Sequence, residues 1–257
     1  MMPAVPSYLV LIPSYNTGAK LVETVREARR FHDQVWVVVD GSTDGSAQSL
    51  RQLALSDPGL RVFELACNQG KGAAIHHGLC EAVAAGYTHV LTMDADGQHP
   101  ARMIPDYIAL SRANGKALIL GKPVFDDTAP LERVMGRKLC NWLVNLETLH
   151  AGIGDSLFGM RIYPAAALLN VMDSHTSMRR FDFDAESAIR LVWKGIRPLN
   201  VDTPVRYFTA EEGGVSHFHY VRDNLVLGSM LLRLLAGFLV RLPLLVARRL
   251  RLGAVEN

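Results

Sequence analysis

The chain has 257 residues, 49% of them hydrophobic, with 27 Lys and Arg against 25 Asp and Glu for a formal charge of +2. That length suits one large α/β domain with an appendage and is ample for a real core, while so small a charge gives no argument for nucleic acid as a partner. The three cysteines, Cys67, Cys80 and Cys140, are odd in number and lack metal-ligand spacing, which argues against a disulfide scaffold or a zinc site and for a reduced, cytosolic compartment.

No Lys or Arg precedes Lys20, so the apolar run Tyr8-Leu9-Val10-Leu11-Ile12 reads as a buried parallel strand and not as a signal peptide. Pro13-Ser14-Tyr15-Asn16 forms the loop at its carboxyl edge. A helix follows from Ala19 to Phe31 with Leu21, Val25 and Ala28 on one face. A second strand, Gln34 to Val39, runs into the turn Asp40-Gly41-Ser42-Thr43-Asp44-Gly45, whose residue types suit any strand-to-helix connection. After a helix over Ser46 to Leu55 and a strand over Leu60 to Leu65 comes Asn68-Gln69-Gly70-Lys71-Gly72, a glycine-rich helix start. Its N–H groups would attract anions, with Lys71 adding charge, although the P-loop spacing is missing.

The helix from Gly72 to Ala85 leads to a strand over Thr88 to Met93 that ends in Asp94-Ala95-Asp96-Gly97-Gln98-His99-Pro100. Strand and helix alternate throughout, which predicts a parallel sheet with right-handed crossovers. Ligands bind at the carboxyl edge of such a sheet. Asp94 and Asp96 there can hold Mg²⁺ or Mn²⁺ against phosphate oxygens, with Gln98 and His99 as neutral ligands or positioning groups. An Asp-rich turn that only caps the next helix would give the same short pattern.

Four segments, Pro13 to Asn16, Asp40 to Asp44, Asn68 to Gly72 and Met93 to Pro100, in this order and spacing resemble glycosyltransferase family 2, in its dolichyl-phosphate mannosyl- and glucosyltransferase branch. The likeness covers the first 120 or so residues well and continues more weakly to Gly195. It implies an α/β GT-A (Rossmann-like) fold with a mostly parallel sheet, a nucleotide-diphospho-sugar donor, a divalent metal and inversion at the anomeric carbon. It also implies donor contacts from Pro13, Tyr15, Asn16, Ser42 and Lys71, with Asp40 at the base. Asp94, Arg161, Arg206 and His217 are further donor-side candidates, and Asp94, Asp96 and Gln98 the metal ligands. Val39 stands where the family often has a first acid.

Pro100 to Arg112 reads as a helix, Ala117 to Gly121 as a strand, Lys122 to Pro130 as a loop and Leu131 to Leu149 as a helix. Asp155 to Tyr163 is similar to the family strand that closes the acceptor side. Phe181-Asp182-Phe183-Asp184-Ala185-Glu186 opens a helix that Gly195 ends. In relatives a Phe-acid-x-Glu element faces the acceptor, though acids at a helix start also simply suit its dipole. A hydroxyl acceptor needs a carboxylate to take its proton, Asp184 first, then Glu186 and Asp155; a phosphate acceptor needs none. Beyond a strand over Val205 to Phe208, His217 replaces the lysine of a Gly-x-Ser-Lys element found in polyprenyl-phosphate relatives, and neutral imidazole donates only one hydrogen bond.

From Asn224 to Ala247 the chain is mostly apolar, but Arg233 and Arg241 interrupt it, and no unbroken run approaches the roughly 20 residues of a membrane span. Arg222, Arg233 and Arg241 fall on one helical stripe. Pro243 is expected to break or kink the helix before Arg248, Arg249 and Arg251. Such a helix suits a bilayer interface; packing within the domain or against a second copy is the alternative. The expected organisation is a catalytic domain over residues 1–217 and a basic amphipathic tail over 218–257. The tail would hold the protein peripherally on the anionic inner face of the cell membrane, beside a lipid or lipid-phosphate acceptor. A nucleotidyltransferase, or a non-catalytic nucleotide-sugar-binding protein, remains the alternative function.

Overall fold

A computed structural model of the protein describes residues 5–125, 131–205 and 220–253. Strands β1 (Tyr8–Ser14) and β2 (Val35–Asp40) are buried at every position. Successive strand residues point to opposite faces, so Leu9, Leu11, Trp36 and Val38 enter one core while Val10, Ile12, Val35 and Val37 enter another. A sheet apolar on both sides needs helices on both. Helices α1 (Ala19–Phe31), α2 (Ser46–Ala54) and α4 (Ile104–Ala113) supply Leu21, Val25, Leu50, Ile104 and Tyr107 to the second core. The first core is closed by α3 (Lys71–Ala84), α5 (Leu131–Glu147), α6 (Ala165–Asp173), α7 (Phe183–Trp193) and α8 (Tyr220–Gly253). Each fully buried leucine among them contributes roughly 2 kcal/mol of transfer energy.

The remaining strands are β3 (Leu60–Leu65), β4 (His89–Thr92), β5 (Leu118–Phe125), β6 (Arg161–Pro164) and β7 (Pro198–Val205), and the sheet order is β3-β2-β1-β4-β6-β5-β7. Every neighbouring pair is parallel except those of β6, which runs antiparallel to both β4 and β5. The expected mostly parallel sheet flanked by helices is therefore present. Two local expectations fail. Lys122 to Phe125 is strand and not loop, because β7 supplies its ladder partners from about 80 residues away. Of the stretch Asp155 to Tyr163 only the end from Arg161 is strand, because Asp155 organises a turn. Strand β7 runs Pro198–Val205, and the strand expected over Val205 to Phe208 lies, beyond its first residue, outside the described residues. Helix α6 had no counterpart in the sequence reading. Arg206, His217 and the surrounding segment lie outside the described residues.

Helix α8 continues through Pro243, which neither breaks nor ends it. Leu227, Met230, Leu234, Phe238 and Leu245 form its buried stripe and join the core of α5 and α7. The opposite face leaves Leu225, Leu232 and Leu239 exposed, at 69%, 71% and 60%. By length and composition, Arg222–Leu250 is long and apolar enough to cross a membrane, contrary to the expectation from unbroken runs, since one or two arginines do not lower the average hydropathy enough to matter.

Glu147, at the end of α5, is 1% exposed, and its Oε2 has no hydrogen-bond partner among the described residues. Burial pushes its carboxyl from 4.5 to about 7. A pKa raised by folding makes stability greatest below the unfolded value and lowers it as pH climbs through the folded one. Glu147→Gln, neutral at every pH, should match the native chain at pH 4 and exceed it at pH 8 by up to roughly 3 kcal/mol. Thermal unfolding at the two pH values checks this, and an equal gap at both would refute the assignment.

Candidate active site

The carboxyl ends of β1, β2 and β4 meet the start of β6 at one sheet edge, where Thr92 and Arg161 are register partners. On the β1–β2 side the loop after Ser14 is clamped to the turn after Asp40. Asn16 N–H donates to Ser42 Oγ (2.9 Å), Thr43 N–H donates to Asn16 Oδ1 (2.8 Å) and Gly18 N–H donates to Asp44 (2.7 Å). Pro13, buried, and Tyr15, half-buried, flank this clamp. Asp40 is 2% exposed, and its two oxygens accept from Gln69 N–H (2.8 Å) and Gly70 N–H (2.7 Å). Burial outweighs those bonds and raises its pKa. Its visible task is to fix the glycine-rich turn. A side chain at Gly41 would strike the Cys67 and Asn68 backbone, so this turn stays tight.

The glycine-rich start of α3 is not open to anions in the way its sequence suggests. Gln69 and Gly70 give their N–H groups to Asp40, and Ala73 N–H donates to Arg179 O (3.1 Å). Segment 178–180 lies so close that a Cβ at Gly70 or Gly72 would meet backbone atoms of Arg179 or Met178. Lys71 instead points into the site, its Nζ 2.7 Å from both Asp94 Oδ1 and Asp184 Oδ2. Burial disfavours the ammonium, but the two carboxylates outweigh it and hold its pKa above the usual lysine value. Lys71 and Asp184 are 113 residues apart, and no sequence pattern joins them.

Asp94 N–H donates to His99 Nδ1 (2.8 Å), which leaves the Nε2 proton facing the Asp94 carboxylate at 3.6 Å. Burial lowers the His99 pKa to about 4, so this ring is neutral at pH 7. Burial opposes ionisation of Asp94 as well, yet the Lys71 charge prevails and holds its pKa low. Asp96 has no such partner. Its Oδ1 accepts from Gln98 N–H (3.0 Å), and burial together with the Asp94 charge pushes its carboxyl up to about 7. Gly159 lies across this group: a Cβ there would stand 2.7 Å from Lys71 Nζ and 2.7 Å from Asp94 Oδ2. Thr92 Oγ1 donates to Gly159 O (2.8 Å) and fixes that approach.

The three candidate bases differ in their surroundings. Asp155 accepts four bonds, from Arg137 (2.6 Å), Asn141 (3.1 Å) and the N–H groups of Leu157 (2.9 Å) and Phe158 (2.7 Å). Glu186 is fully buried and held by Arg190, Arg233 and Ser177. Asp184 keeps one oxygen, Oδ1, buried and without a partner among the described residues. Arg161 is wholly buried and donates to main-chain carbonyls, those of Phe158 (2.7 Å) and Asp184, so it ties the loop before β6 to α7.

No group of three His, Cys, Asp or Glu side chains among the described residues makes a self-contained metal site. That fits a Mg²⁺-like ion, which is typically held by one or two carboxylates plus substrate phosphates. Among the described residues Lys71 is the one cation bonded to the Asp94 and Asp184 carboxylates, and Asp184 Oδ1 and the Asp94–Asp96 pair leave room for another.

The sheet and its carboxyl-edge acidic loop define a GT-A glycosyltransferase fold. The mannosyltransferase PcManGT from Pyrobaculum calidifontis, solved in complex with GDP-Man and Mn²⁺, superposes with a TM-score of 0.63 at 20% identity, over 95% of this chain and 69% of its own. In sequence, residues 9–181 match Glycosyl transferase family 2, and the chain belongs to that family. Its relatives include the polyprenol monophosphomannose synthase of Mycolicibacterium smegmatis, 29% identical over 81% of this chain and 79% of that one. The undecaprenyl-phosphate mannosyltransferase of Micrococcus luteus is 26% identical over 80% and 85%. This membership decides against the nucleotidyltransferase alternative.

Proposed function

We propose that the protein moves a hexosyl group from a nucleoside-diphosphate sugar to a polyprenyl phosphate at a membrane surface, with inversion at the anomeric carbon. The names of the two relatives support the acceptor class, and the observation that carries the reading is Lys71 suspended between Asp94 and Asp184. One cation there joins the acidic loop to α7 on the acceptor side. An acceptor phosphate oxygen attacks the anomeric carbon while the bond to the donor diphosphate breaks and its electrons leave with the nucleoside diphosphate. A phosphate monoanion or dianion has no proton that must be removed first. Asp184 therefore acts by holding Lys71 charged and in place; for a hydroxyl acceptor its unpartnered Oδ1 would take the proton. Pro13, Tyr15, Asn16 and Ser42 form the donor groove on the floor fixed by Asp40. Asp94 and Asp96, with Gln98 beside them, would hold Mg²⁺ or Mn²⁺, which neutralises charge on the departing diphosphate. Incubating the protein with a panel of nucleoside-diphosphate hexoses and a polyprenyl phosphate tests the reading. A lipid-linked product of inverted anomeric configuration is expected, and failure with every donor would refute it.

The membrane part of the proposal rests on α8. Arg233 and Arg248 bond to Glu186 and to Trp193 O on α7, so a spanning position would have to break both contacts. A helix laid along the bilayer keeps them. Its exposed leucines enter the interface, and each flanking arginine adds about 1 kcal/mol on an anionic surface. Exposed Met135, Leu139 and Trp142 on the adjoining α5 extend the apolar surface. Replacing Leu225, Leu232 and Leu239 by Ser should leave unfolding unchanged yet reduce binding to anionic vesicles by about 10²-fold or more. Native-like sedimentation of the triple variant would remove the interfacial assignment.

A further inference from the structure

Glu186 is a buried carboxylate with four charge-assisted or polar contacts, and they come from three separate pieces of chain. Oε1 accepts from Arg190 Nε (2.7 Å) and Nη2 (2.6 Å) within α7 and from Ser177 Oγ (2.9 Å) in the segment before it. Oε2 accepts from Arg233 Nη2 of α8 (2.6 Å), its one partner among the described residues. The residue is 0% exposed, so water cannot replace a lost partner without opening the packing around it.

Both neighbours of Glu186 lead towards Lys71, one by direct contact and one through the start of α3. One helical turn holds Glu186 and Asp184, and Asp184 grips Lys71. The segment that Ser177 anchors carries the Arg179 carbonyl that caps α3 at Ala73, two residues after Lys71. Arg161 adds a third tie, donating to the Asp184 carbonyl. Losing the Arg233 end of this network would therefore loosen α7, which carries Asp184, and the segment that caps α3 next to Lys71.

We infer that α8 completes the acceptor side of the site, and that Arg233 is a positioning residue acting through Glu186 on Asp184 and Lys71. Seating of α8 is then coupled to turnover as well as to membrane attachment. This rests on the proposed acceptor-side role of Asp184, so the test has one arm that needs no catalysis. Hydrogen exchange over residues 177–187 of the full chain in detergent should rise at least about tenfold in Arg233→Gln and stay native in Arg222→Gln, a neighbouring arginine that contacts Asp223 instead. With a competent donor and acceptor, Arg233→Gln should lower kcat by about tenfold or more with donor KM unchanged, and Arg233→Lys should recover most of it. If Arg233→Gln does not fold, the doubly neutral Glu186→Gln/Arg233→Gln chain takes its place. Its exchange should equal that of Glu186→Gln alone, because a residue acting through a partner adds nothing once the partner is gone. Native exchange in folded Arg233→Gln, or additive effects in the double variant, would overturn the inference. A chain inactive with every donor would refute the proposed reaction and leave the exchange result to decide the coupling.

Discussion

Asp96→Asn should abolish sugar transfer, by a factor of about 10³ or more, while leaving the unfolding temperature at or above the native value. The carboxyl is half-buried beside Asp94 and sits near its midpoint at pH 7, so the ion-free fold does not need its charge. A cation bound to the donor diphosphate does, because an amide is a far poorer ligand for a hard ion and loses the charge that several kcal/mol of transition-state stabilisation depend on. Metal ligation requires the deprotonated form. Metal-supported donor binding by the native chain should thus strengthen from pH 6 to pH 8, and that slope should vanish in Asp96→Asn. Calorimetry with a nucleoside diphosphate and Mn²⁺ reads both quantities. An active variant, or native activity indifferent to chelator, would remove the metal from the proposal.

Gly159→Ala is expected to rank next, with transfer reduced by about 10²-fold or more through one added methyl group. That methyl would stand within 2.8 Å of both Asp94 carboxylate oxygens and of Lys71 Nζ, and these are side-chain ends that can swing away. The fold should therefore survive with little change in stability while the Asp94–Lys71–Asp184 chain comes apart. Stability and activity move separately here, which marks the position as part of the site and not of the core. Parallel measurement of unfolding and of kcat/KM would show it, and a fully active Gly159→Ala would mean that Lys71 can work from elsewhere.

Much of the sheet was legible in sequence because β1, β2 and β4 are continuous apolar runs that end in turn residues, and the acidic loop sits at one of those ends. The resemblance grouped Asn16, Ser42, Asp40, Asp94 and Asp96 as one site, and neighbouring strand ends do bring them to one edge. That Asn16 bonds Ser42 and Asp40 bonds the glycine-rich turn had no sequence signal. What could not be read are partnerships that depend on the antiparallel entry of β6. That strand delivers Gly159 and Arg161 opposite Thr92, and neither residue carries a local signal of it. The Lys71–Asp184 pair is similar, since each residue also has an ordinary explanation at a helix start. Arg233 was visible only as an interruption of an apolar run. Its buried partner, Glu186, looked like a catalytic candidate because an acid in the first turn of a helix says nothing about how it is neutralised.

The place of α8 in the fold also sets an order of events during synthesis. Every strand of the sheet leaves the ribosome before the helix that closes the faces of α5 and α7, so the growing chain carries an open apolar surface for as long as α8 is unfinished. The same surface is sealed by a segment whose other face suits lipid. With α8 seated in the interface as proposed, completion of the fold and arrival at the bilayer would fall at the same moment in the protein's life, and a nascent chain stalled before α8 would be a substrate for chaperones and proteases.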